Sequence, residues 1–421
     1  ASARRPRTLR DALATLPGAN LALISVPGPY AALEAHKALS AGLHVLLFSD
    51  NVPVVAEVEL KARAAQLGLF VMGPGAGTAM IGGIGLGFAN VVMPGRVGIA
   101  AAAGTGAQEL MCLLDSWGAG VSHVLGLGGR DLSAAVGGRT TTLALDTLEA
   151  DGGTEVVVLV SKPPAPDVAR ALLDRPRGKP VVAALLGLDQ RLGRAGSSDS
   201  AGVRICSTLE SAAAAAVGLL GLPRPRPERG LGARATATMA RLDSKRRTVR
   251  GLFSGGTLCH EAMLLLCQRL GPVHSNVPLR PEWALPAPPG AHVCLDLGEE
   301  EFTRGRPHPM IDPESRIDLL REAARDPATA VILVDLVLGY GSHPDPASVL
   351  APACREICER LGSPAVVAYV LGTHRDPQNY SAQREQLERA GCVVAPTAAR
   401  AALLAGAVAA RRPEMAEEEA A

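Results

Sequence analysis

Short apolar runs alternate with longer amphipathic stretches over the first 75 residues of the chain. The apolar runs are Leu21–Val26, His44–Phe48 and Leu69–Met72. Between them lie stretches with helical spacing, one ending near Ala41 and one spanning about Glu57–Leu67. Strands that are short and apolar throughout are typical of a parallel sheet covered by helices on both faces. The pattern therefore predicts a βαβαβ unit whose turns gather at one edge of the sheet.

The same alternation then occurs twice more, and the two later units match each other. Gly104-Thr105-Gly106-Ala107-Gln108-Glu109 opens a helix after an apolar strand, and Gly256-Thr257-Leu258-Cys259-His260-Glu261 opens another after Arg250–Phe253. Four more pairs follow in the same order: Gly126–Gly129 with Leu297–Glu299, Val156–Val160 with Val331–Leu336, Val181–Leu186 with Val366–Leu371, and Val203–Leu220 with Cys392–Ala410. This repeat predicts one flavodoxin-like fold used twice and packed as a pseudo-dimer within the chain.

Three domains follow from this division of the chain. Residues 1–95 are predicted to form a Rossmann-like domain, and residues 96–222 and 249–411 the two flavodoxin-like domains. The segment 223–248 is rich in Pro, Arg and Gly, which predicts a linker containing a short helix, with its basic charges solvated. Glu and Ala dominate residues 412–421, which predicts a disordered tail.

Composition limits the classes of partner. The 42 basic and 41 acidic residues nearly cancel, so no field of one sign attracts nucleic acid or a membrane surface to the chain as a whole. Eight cysteines stand singly, apart from Cys354 and Cys358, whose spacing fits one helix face and not a zinc knuckle. We expect a reduced, cytoplasmic protein with no metal site and with neither nucleic acid nor a membrane as partner.

The two Gly-Thr turns are the first candidates for chemistry. A turn that feeds a helix exposes unpaired backbone N–H groups at the positive end of the helix dipole. One such turn is often only a helix cap, but two equivalent turns in a duplicated fold can face one shared point, which suits a phosphoryl group. The residues predicted to bind this anion are Gly104, Thr105, Gly106, Ser254, Gly255, Gly256 and Thr257. Neither turn is a nucleotide-binding P-loop, because the Gly-Lys-Ser/Thr pattern is absent.

Polar groups near these turns are candidates for catalysis. Glu109 and Glu261, in the first turns of the two helices, either complement the helix dipole or orient a reacting group. Arg304, Arg306 and His308 share one polar loop, in which two guanidinium groups suit a carboxylate or phosphate and the imidazole suits a base or a phosphate acceptor. The alternative is a structural loop whose arginines pair with nearby carboxylates.

Further positions are predicted to contact a substrate at strand ends and loops. They are Gly128, Gly129, Arg130, Lys162 and Asp312. Packing alone explains a Gly-rich turn equally well, so the structural alternative stays open for these residues. His260 is interpreted as a residue on a helix surface.

Seven stretches together resemble FdrA proteins, which are distant relatives of succinyl-CoA synthetase. They are Ile24–Pro29, Val71–Thr78, Ala103–Glu109, Gly126–Leu132, Val160–Pro164, Phe253–Thr257 and Gly305–Pro313. The resemblance runs from about Leu21 to Arg400, and the Gly-Arg-Pro-His-Pro-Met-Ile-Asp-Pro run is its most specific part. It implies a Rossmann-like domain of the CoA-binding type followed by two CoA-ligase-type domains.

The resemblance also implies a function. The synthetase relatives hold a phosphohistidine between paired helix N-termini, which correspond here to Gly104–Gly106 and Gly255–Thr257. Their Gly-His-Ala-Gly loop corresponds to Arg194–Ser197, which has no histidine. FdrA proteins are tied to purine-nitrogen catabolism as a subunit of oxamate carbamoyltransferase, which exchanges oxalurate and phosphate for oxamate and carbamoyl phosphate. The turns Gly73–Thr78 and Ala102–Gly106 depart from the FdrA pattern by losing a carboxylate, a thiol and a hydroxyl.

The resulting expectation is a carbamoyltransferase subunit that acts on a small molecule within a homo- or hetero-oligomer. Its ligand would be phosphate or carbamoyl phosphate. An acyl-CoA ligase that binds CoA is the first alternative, and a non-catalytic scaffold subunit of such a complex is the second.

Overall fold

A computed structural model describes residues 6–188, 199–200, 202–225, 228 and 230–418, and it is an α/β fold built on three sheets. The first sheet has three parallel strands in the order β1-β2-β3. The elements of this unit are α1 Leu9–Thr15, β1 Leu21–Ile24, α2 Gly28–Ser40, β2 His44–Leu47, α3 Val54–Leu67 and β3 Val71–Met72.

The side chains of strand β2 alternate between the core of the first unit and the core that it shares with the second. Val45 and Leu47 lie in the core formed with α2 and α3, whereas Leu46 lies in the core beneath the second sheet. Successive side chains of a strand point to opposite faces, so a strand that is apolar throughout has two buried faces. The covered parallel sheet predicted from the sequence is therefore present, and one of its faces is covered by the next unit.

The second sheet has eight strands in the order β10-β11-β9-β8-β6-β7-β4-β5. Its unit comprises β4 Thr78–Ile81, β5 Ile84–Gly87, β6 Pro94–Ala102, α4 Gly104–Ser116, β7 Val121–Gly126, α5 Arg139–Ala150, β8 Val156–Ser161, α6 Pro166–Leu173, β9 Val181–Leu185, β10 Asp199–Ser200, β11 Val203–Ile205 and α7 Leu209–Leu219.

The hairpin of β4 and β5 corrects the predicted boundary at residue 95. Its turn is Gly82-Gly83, with φ of 57° and 81°, a conformation that glycine adopts without strain and that suits a two-residue hairpin. β4 then pairs with β7 through Met80 and Val124. Residues 78–87 therefore belong to the second sheet and not to the first domain.

The third sheet has six parallel strands in the order β13-β14-β12-β15-β16-β17. Its unit comprises α8 Leu231–Arg241, β12 Thr248–Phe253, α9 Gly256–Leu270, β13 Val273–His274, β14 His292–Asp296, α10 Glu300–Thr303, α11 Ile317–Arg325, β15 Thr329–Val337, α12 Pro346–Cys358, β16 Ala365–Leu371, α13 Tyr380–Arg389, β17 Val393–Ala395 and α14 Ala398–Ala410.

Five strands of the second sheet and five of the third follow the same spatial order. The order β11-β9-β8-β6-β7 corresponds strand by strand to β17-β16-β15-β12-β14, which is the pairing expected from the repeat. The two units also share one core, which includes Leu110 and Leu114 of α4 together with Met263 and Leu266 of α9. The repeated units therefore pack against each other within one chain.

The segment predicted as a linker is partly a folded element. α8 buries Leu231 and Ala235, and the Arg246 guanidinium donates hydrogen bonds to the carbonyl oxygens of Asp326, Thr329 and Gly362 at 2.7–2.8 Å. Because this arginine satisfies backbone acceptors, its charge is not merely solvated. The basic composition was misinterpreted because sequence alone does not show which carbonyl groups lack a partner.

The predicted disordered tail is folded as far as residue 418. Residues Pro413–Glu417 form a 3₁₀ helix, in which Met415 is 1% exposed and Ala416 is fully buried. The Glu417 carboxylate accepts hydrogen bonds from the backbone N–H groups of Gly230 and Gly232 at 3.1 and 2.8 Å. Two apolar side chains among acidic residues were enough to dock the segment. In the described ranges, no helix is both long and apolar enough to cross a membrane.

Candidate active site

The two predicted helix starts meet where the two repeated units face each other. Helix α4 begins at Gly104 and α9 begins at Gly256. The Thr257 backbone N–H donates a hydrogen bond of 3.2 Å to Thr105 Oγ1, and both residues are buried. A Cβ added to Gly106 would lie 2.9 Å from the Thr257 methyl group, so glycine allows this close approach. The predicted anion site thus has its two helices in direct contact, and anion binding itself stays a prediction.

An internal carboxylate occupies the second turn. Asp335 accepts hydrogen bonds from the Ser254 N–H and hydroxyl at 2.7 and 2.9 Å, and from the Gly255 N–H at 2.7 Å. The Arg316 guanidinium lies 3.0 Å from the same carboxylate, and both side chains are almost fully buried. Ser254 and Gly255 were predicted as phosphate ligands, and this is wrong because their donors are already used. The two turns are therefore unequal, although their sequences match.

The first turn is the open one. Gly104 is exposed, and a Cβ added there would meet only Thr78 Oγ1, at 3.6 Å. Lys162, in the loop after β8, lies nearby: its ammonium group would be 3.0 Å from a Cβ built on Gly256. This lysine crosses to the other unit, where it lies 3.6 Å from Asp296 Oδ2 and 3.8 Å from Glu299. Of the predicted substrate contacts, Lys162 is the one that lies beside the start of α9, and it directly follows Ser161, which pairs with Ala102 just before the start of α4.

Asp296 is a site residue that the sequence analysis missed. It ends β14 and is 2% exposed, and burial is the main cause that raises its pKa to about 6. Its Oδ2 would lie 2.2 Å from a Cβ built on Gly256, so only glycine leaves room for the carboxylate at the start of α9. The signal was an acidic residue at the carboxyl end of a strand, next to a turn that the repeat had already identified.

The polar loop contributes its histidine to the site but not its arginines. His308 is partly buried: Nε2 would lie 2.6 Å from a Cβ on Gly298, and Nδ1 accepts the Met310 N–H at 3.2 Å. Burial is the main cause that lowers the pKa of His308, which favours the neutral imidazole. Arg304 and Arg306 are both exposed.

The structural alternative applies to the rest of this loop. Arg304 binds Glu300 at 2.9 Å on the surface, and Asp312 accepts the Glu314 N–H as the cap of a 3₁₀ helix. These contacts satisfy the guanidinium and the carboxylate locally. Arg304, predicted as catalytic, and Asp312, predicted to contact a substrate, therefore have the partners of a structural loop, and their predicted roles stay predictions.

The Gly-rich turn after β7 holds two units together instead of facing a substrate. Arg130 donates to Glu57 at 3.0 Å and to the Val52 carbonyl oxygen at 2.7 Å, across to the first unit. Gly128 has φ of 84°, and a Cβ there would lie 2.6 Å from the Pro74 carbonyl oxygen. A Cβ on Gly129 would meet nothing within 4 Å, and its predicted contact with a substrate stays a prediction. These contacts favour the packing alternative for Gly128 and Arg130.

Glu109 and Glu261 bind across the pseudo-dimer in equivalent ways. Glu109 Oε1 accepts the N–H of Ala398, the first residue of α14, at 3.4 Å, and Tyr369 donates its hydroxyl to Oε2 at 2.6 Å. Glu261 Oε1 accepts the N–H of Leu209, the first residue of α7, at 2.7 Å. Desolvation raises the pKa of Glu109 to about 7 and that of Glu261 to about 8.

These two glutamates therefore cap the last helix of the opposite unit. Their predicted catalytic role is not supported, because both side chains are buried at the contact between the units. His260, expected on a helix surface, is also buried, at 7% exposure. Helical periodicity failed here because α9 packs against both units and has little free surface.

The comparisons with known proteins agree with this architecture. Residues 252–408 match the family model described as CoA-ligase. The chain is 31% identical over 195 residues to subunit alpha 2 of a succinate–CoA ligase (ADP-forming) from Archaeoglobus fulgidus, a match covering 44% of this chain and 66% of that subunit. The CoA-ligase family model thus matches most of the third unit, and the ligase subunit is similar to less than half of the chain.

A longer match identifies the family. The chain is 42% identical over 411 residues to the uncharacterized protein YahF of Escherichia coli K12, covering 95% of this chain and 79% of that protein. The chain belongs to the same family as YahF. Among solved structures, a dinucleotide-forming acetyl-coenzyme A synthetase 1 from Ca. Korarchaeum cryptofilum is 18% identical, with a TM-score of 0.36, over 94% of this chain and 84% of that one.

Proposed function

We propose that this chain is a subunit of an acyl-CoA ligase-type enzyme, in which an acyl group moves between a phosphate oxygen and the thiol of CoA. The observation that carries the proposal is the contact of the α4 and α9 helix starts between the two repeated units, in a chain whose second copy matches the CoA-ligase model. This function takes precedence over the carbamoyl transfer expected from the sequence, because a succinate–CoA ligase subunit is among the relatives.

One exogenous anion fits the proposed site better than two. The exposed start of α4 at Gly104 presents the N–H groups of a first helical turn, and Lys162 adds a positive charge from the neighbouring loop, beside the start of α9. In the second turn, Asp335 already accepts the N–H groups of Ser254 and Gly255, just before the start of α9. An acyl phosphate would therefore place its phosphate at α4, where the helix dipole and the ammonium group stabilise the negative charge that develops on the leaving oxygen.

Carbamoyl transfer remains the second candidate, on one observation from the sequence. No histidine occurs between residues 189 and 201, the region that corresponds to the phosphohistidine loop of the synthetases. Residues 189–198, including Arg194–Ser197, lie outside the described part of the chain. A carbamoyl phosphate donor needs an anion site but neither a phosphohistidine nor a nucleotide, so the same helix start would serve it. A resemblance to FdrA proteins supports this candidate.

A ligand panel separates these functions. Ligands that bind only the native state stabilise it, by about 2.7 kcal/mol at a hundredfold excess over Kd, and therefore raise the melting temperature. The ligase proposal expects shifts with inorganic phosphate and with CoA. Carbamoyl transfer expects shifts with phosphate and carbamoyl phosphate but none with CoA. No shift with phosphate, carbamoyl phosphate or CoA would contradict both and favour a scaffold subunit.

A further inference from the structure

The two oxygens of the Asp296 carboxylate have different partners, in a side chain that is 3% exposed. Oδ1 accepts the Gly298 N–H at 3.1 Å. Within the described ranges no hydrogen bond reaches Oδ2, whose nearest cation is the Lys162 ammonium group at 3.6 Å. Oδ2 is thus an ion-paired acceptor that can still take a hydrogen bond, and it lies between Gly256, at the start of α9, and Lys162.

Charged groups from several elements face this carboxyl group. Burial is the strongest influence on its pKa, which is raised to about 6. The Lys162 ammonium group, from the loop after β8, lowers this pKa, whereas Glu299, from the loop after β14, and Asp335, from β15, raise it. His308 lies on the other side of Gly298 from Asp296, and burial is the main cause that lowers the pKa of His308. The Arg316 guanidinium forms an ion pair of 3.0 Å with Asp335.

We propose that Asp296 is the proton-handling residue of this site, so that a tetrahedral anion is bound together with a proton on Oδ2. The inference rests on the proposed function, since it requires an anion at the start of α4. A dianion beside Lys162 places more negative charge near Asp296, which favours the neutral acid. The neutral acid donates a hydrogen bond from Oδ2 to the anion instead of repelling it, and the proton returns to solvent when the anion leaves.

Sulfate is the probe that isolates this proton, because it does not titrate between pH 5 and 9. Calorimetric titration of the full chain at pH 7, in two buffers of different ionisation enthalpy, measures the protons taken up per sulfate bound. We expect net uptake in the wild type and a sulfate affinity that falls, by at most about tenfold per pH unit, above the Asp296 pKa. Asp296→Asn should bind sulfate with no proton uptake and with an affinity that is independent of pH.

Two neighbouring substitutions give a test that a folding defect cannot imitate. Lys162→Met removes the charge that lowers the Asp296 pKa, so the midpoint of the pH dependence should rise while the sulfate affinity falls. Glu299→Gln removes a charge that raises the pKa, so the midpoint should fall. Midpoints that stay fixed or move in the same direction would overturn the assignment to Asp296.

The outcomes separate the inference from the function on which it rests. If the wild type binds sulfate or phosphate but takes up no more protons than the Asp296→Asn variant, the role of Asp296 is refuted and the anion site still stands. Failure of the wild type to bind either inorganic phosphate or sulfate refutes the anion site itself, and the role of Asp296 with it.

Discussion

Replacing Lys61 with methionine should loosen the first unit from the second. The Lys61 ammonium group lies 2.8 Å from Glu57 Oε1 and 2.6 Å from Asp131 Oδ1, and it donates to the Leu127 carbonyl oxygen at 3.0 Å. The three ionised side chains are at most 1% exposed. Removing one partner of a buried ion pair costs about 3–5 kcal/mol. Because Thr141 still donates two hydrogen bonds to Asp131, we expect a value near the low end, about 3 kcal/mol.

Hydrogen exchange measures this loss where it occurs. Lys61 lies on α3, so the backbone amides of α2 and α3 should exchange faster by on the order of 100-fold in Lys61→Met, the factor that 3 kcal/mol corresponds to. The matched control is Lys37→Met, which removes a surface pair with Glu34 at 2.7 Å in which the lysine side chain is 51% exposed. An exposed pair contributes about 0–1 kcal/mol, so the control should change little. Equal effects of the two substitutions would refute the reasoning.

Two further predictions concern the contact between the repeated units and the folded tail. Burial raises the pKa of Glu261 from its usual value of 4.5 to about 8, so its contribution to stability is full below about pH 4.5 and is lost as the pH rises through 8. The melting temperature should therefore fall between about pH 4.5 and 8. Glu261→Gln keeps the acceptor for Leu209 and should show a smaller fall; an unchanged fall would contradict this assignment. Met415→Ala should destabilise the chain by about 2–5 kcal/mol in urea unfolding, because it leaves a cavity, whereas exposed Glu414→Ala should have little effect. Equal midpoints for those two variants would mean that the tail is not docked as described.

Sequence reasoning was most successful where the information was periodic and repeated. The apolar runs gave the parallel strands, and the match of Gly104–Glu109 with Gly256–Glu261 gave two units with one strand order. Both signals are local patterns that a parallel sheet requires at fixed spacing. The contact of the two helix starts also followed, because equivalent points of a duplicated fold can lie near its pseudo-twofold axis.

Pairing partners distant in sequence were the part that could not be predicted. Asp335 occupies the second turn from 80 residues away, and Glu109 caps a helix that begins 289 residues later. Asp335 did leave a trace, as a carboxylate within the otherwise apolar strand Thr329–Val337, since a buried charge requires a partner. The residue types at the site were visible in the sequence, but the assignment of each donor to its acceptor depends on three-dimensional packing.

A pair of substitutions at Gly104 tests the central claim, that the start of α4 binds a phosphate-type anion. Both Gly104→Asp and Gly104→Asn should fold, because Gly104 is exposed and a Cβ there meets only Thr78 Oγ1, at 3.6 Å. The aspartate places a like charge against the anion, so calorimetric titration with inorganic phosphate should show an affinity at least about tenfold lower than in the asparagine variant, which should stay near the wild type. Equal phosphate affinity in the two variants would contradict the account.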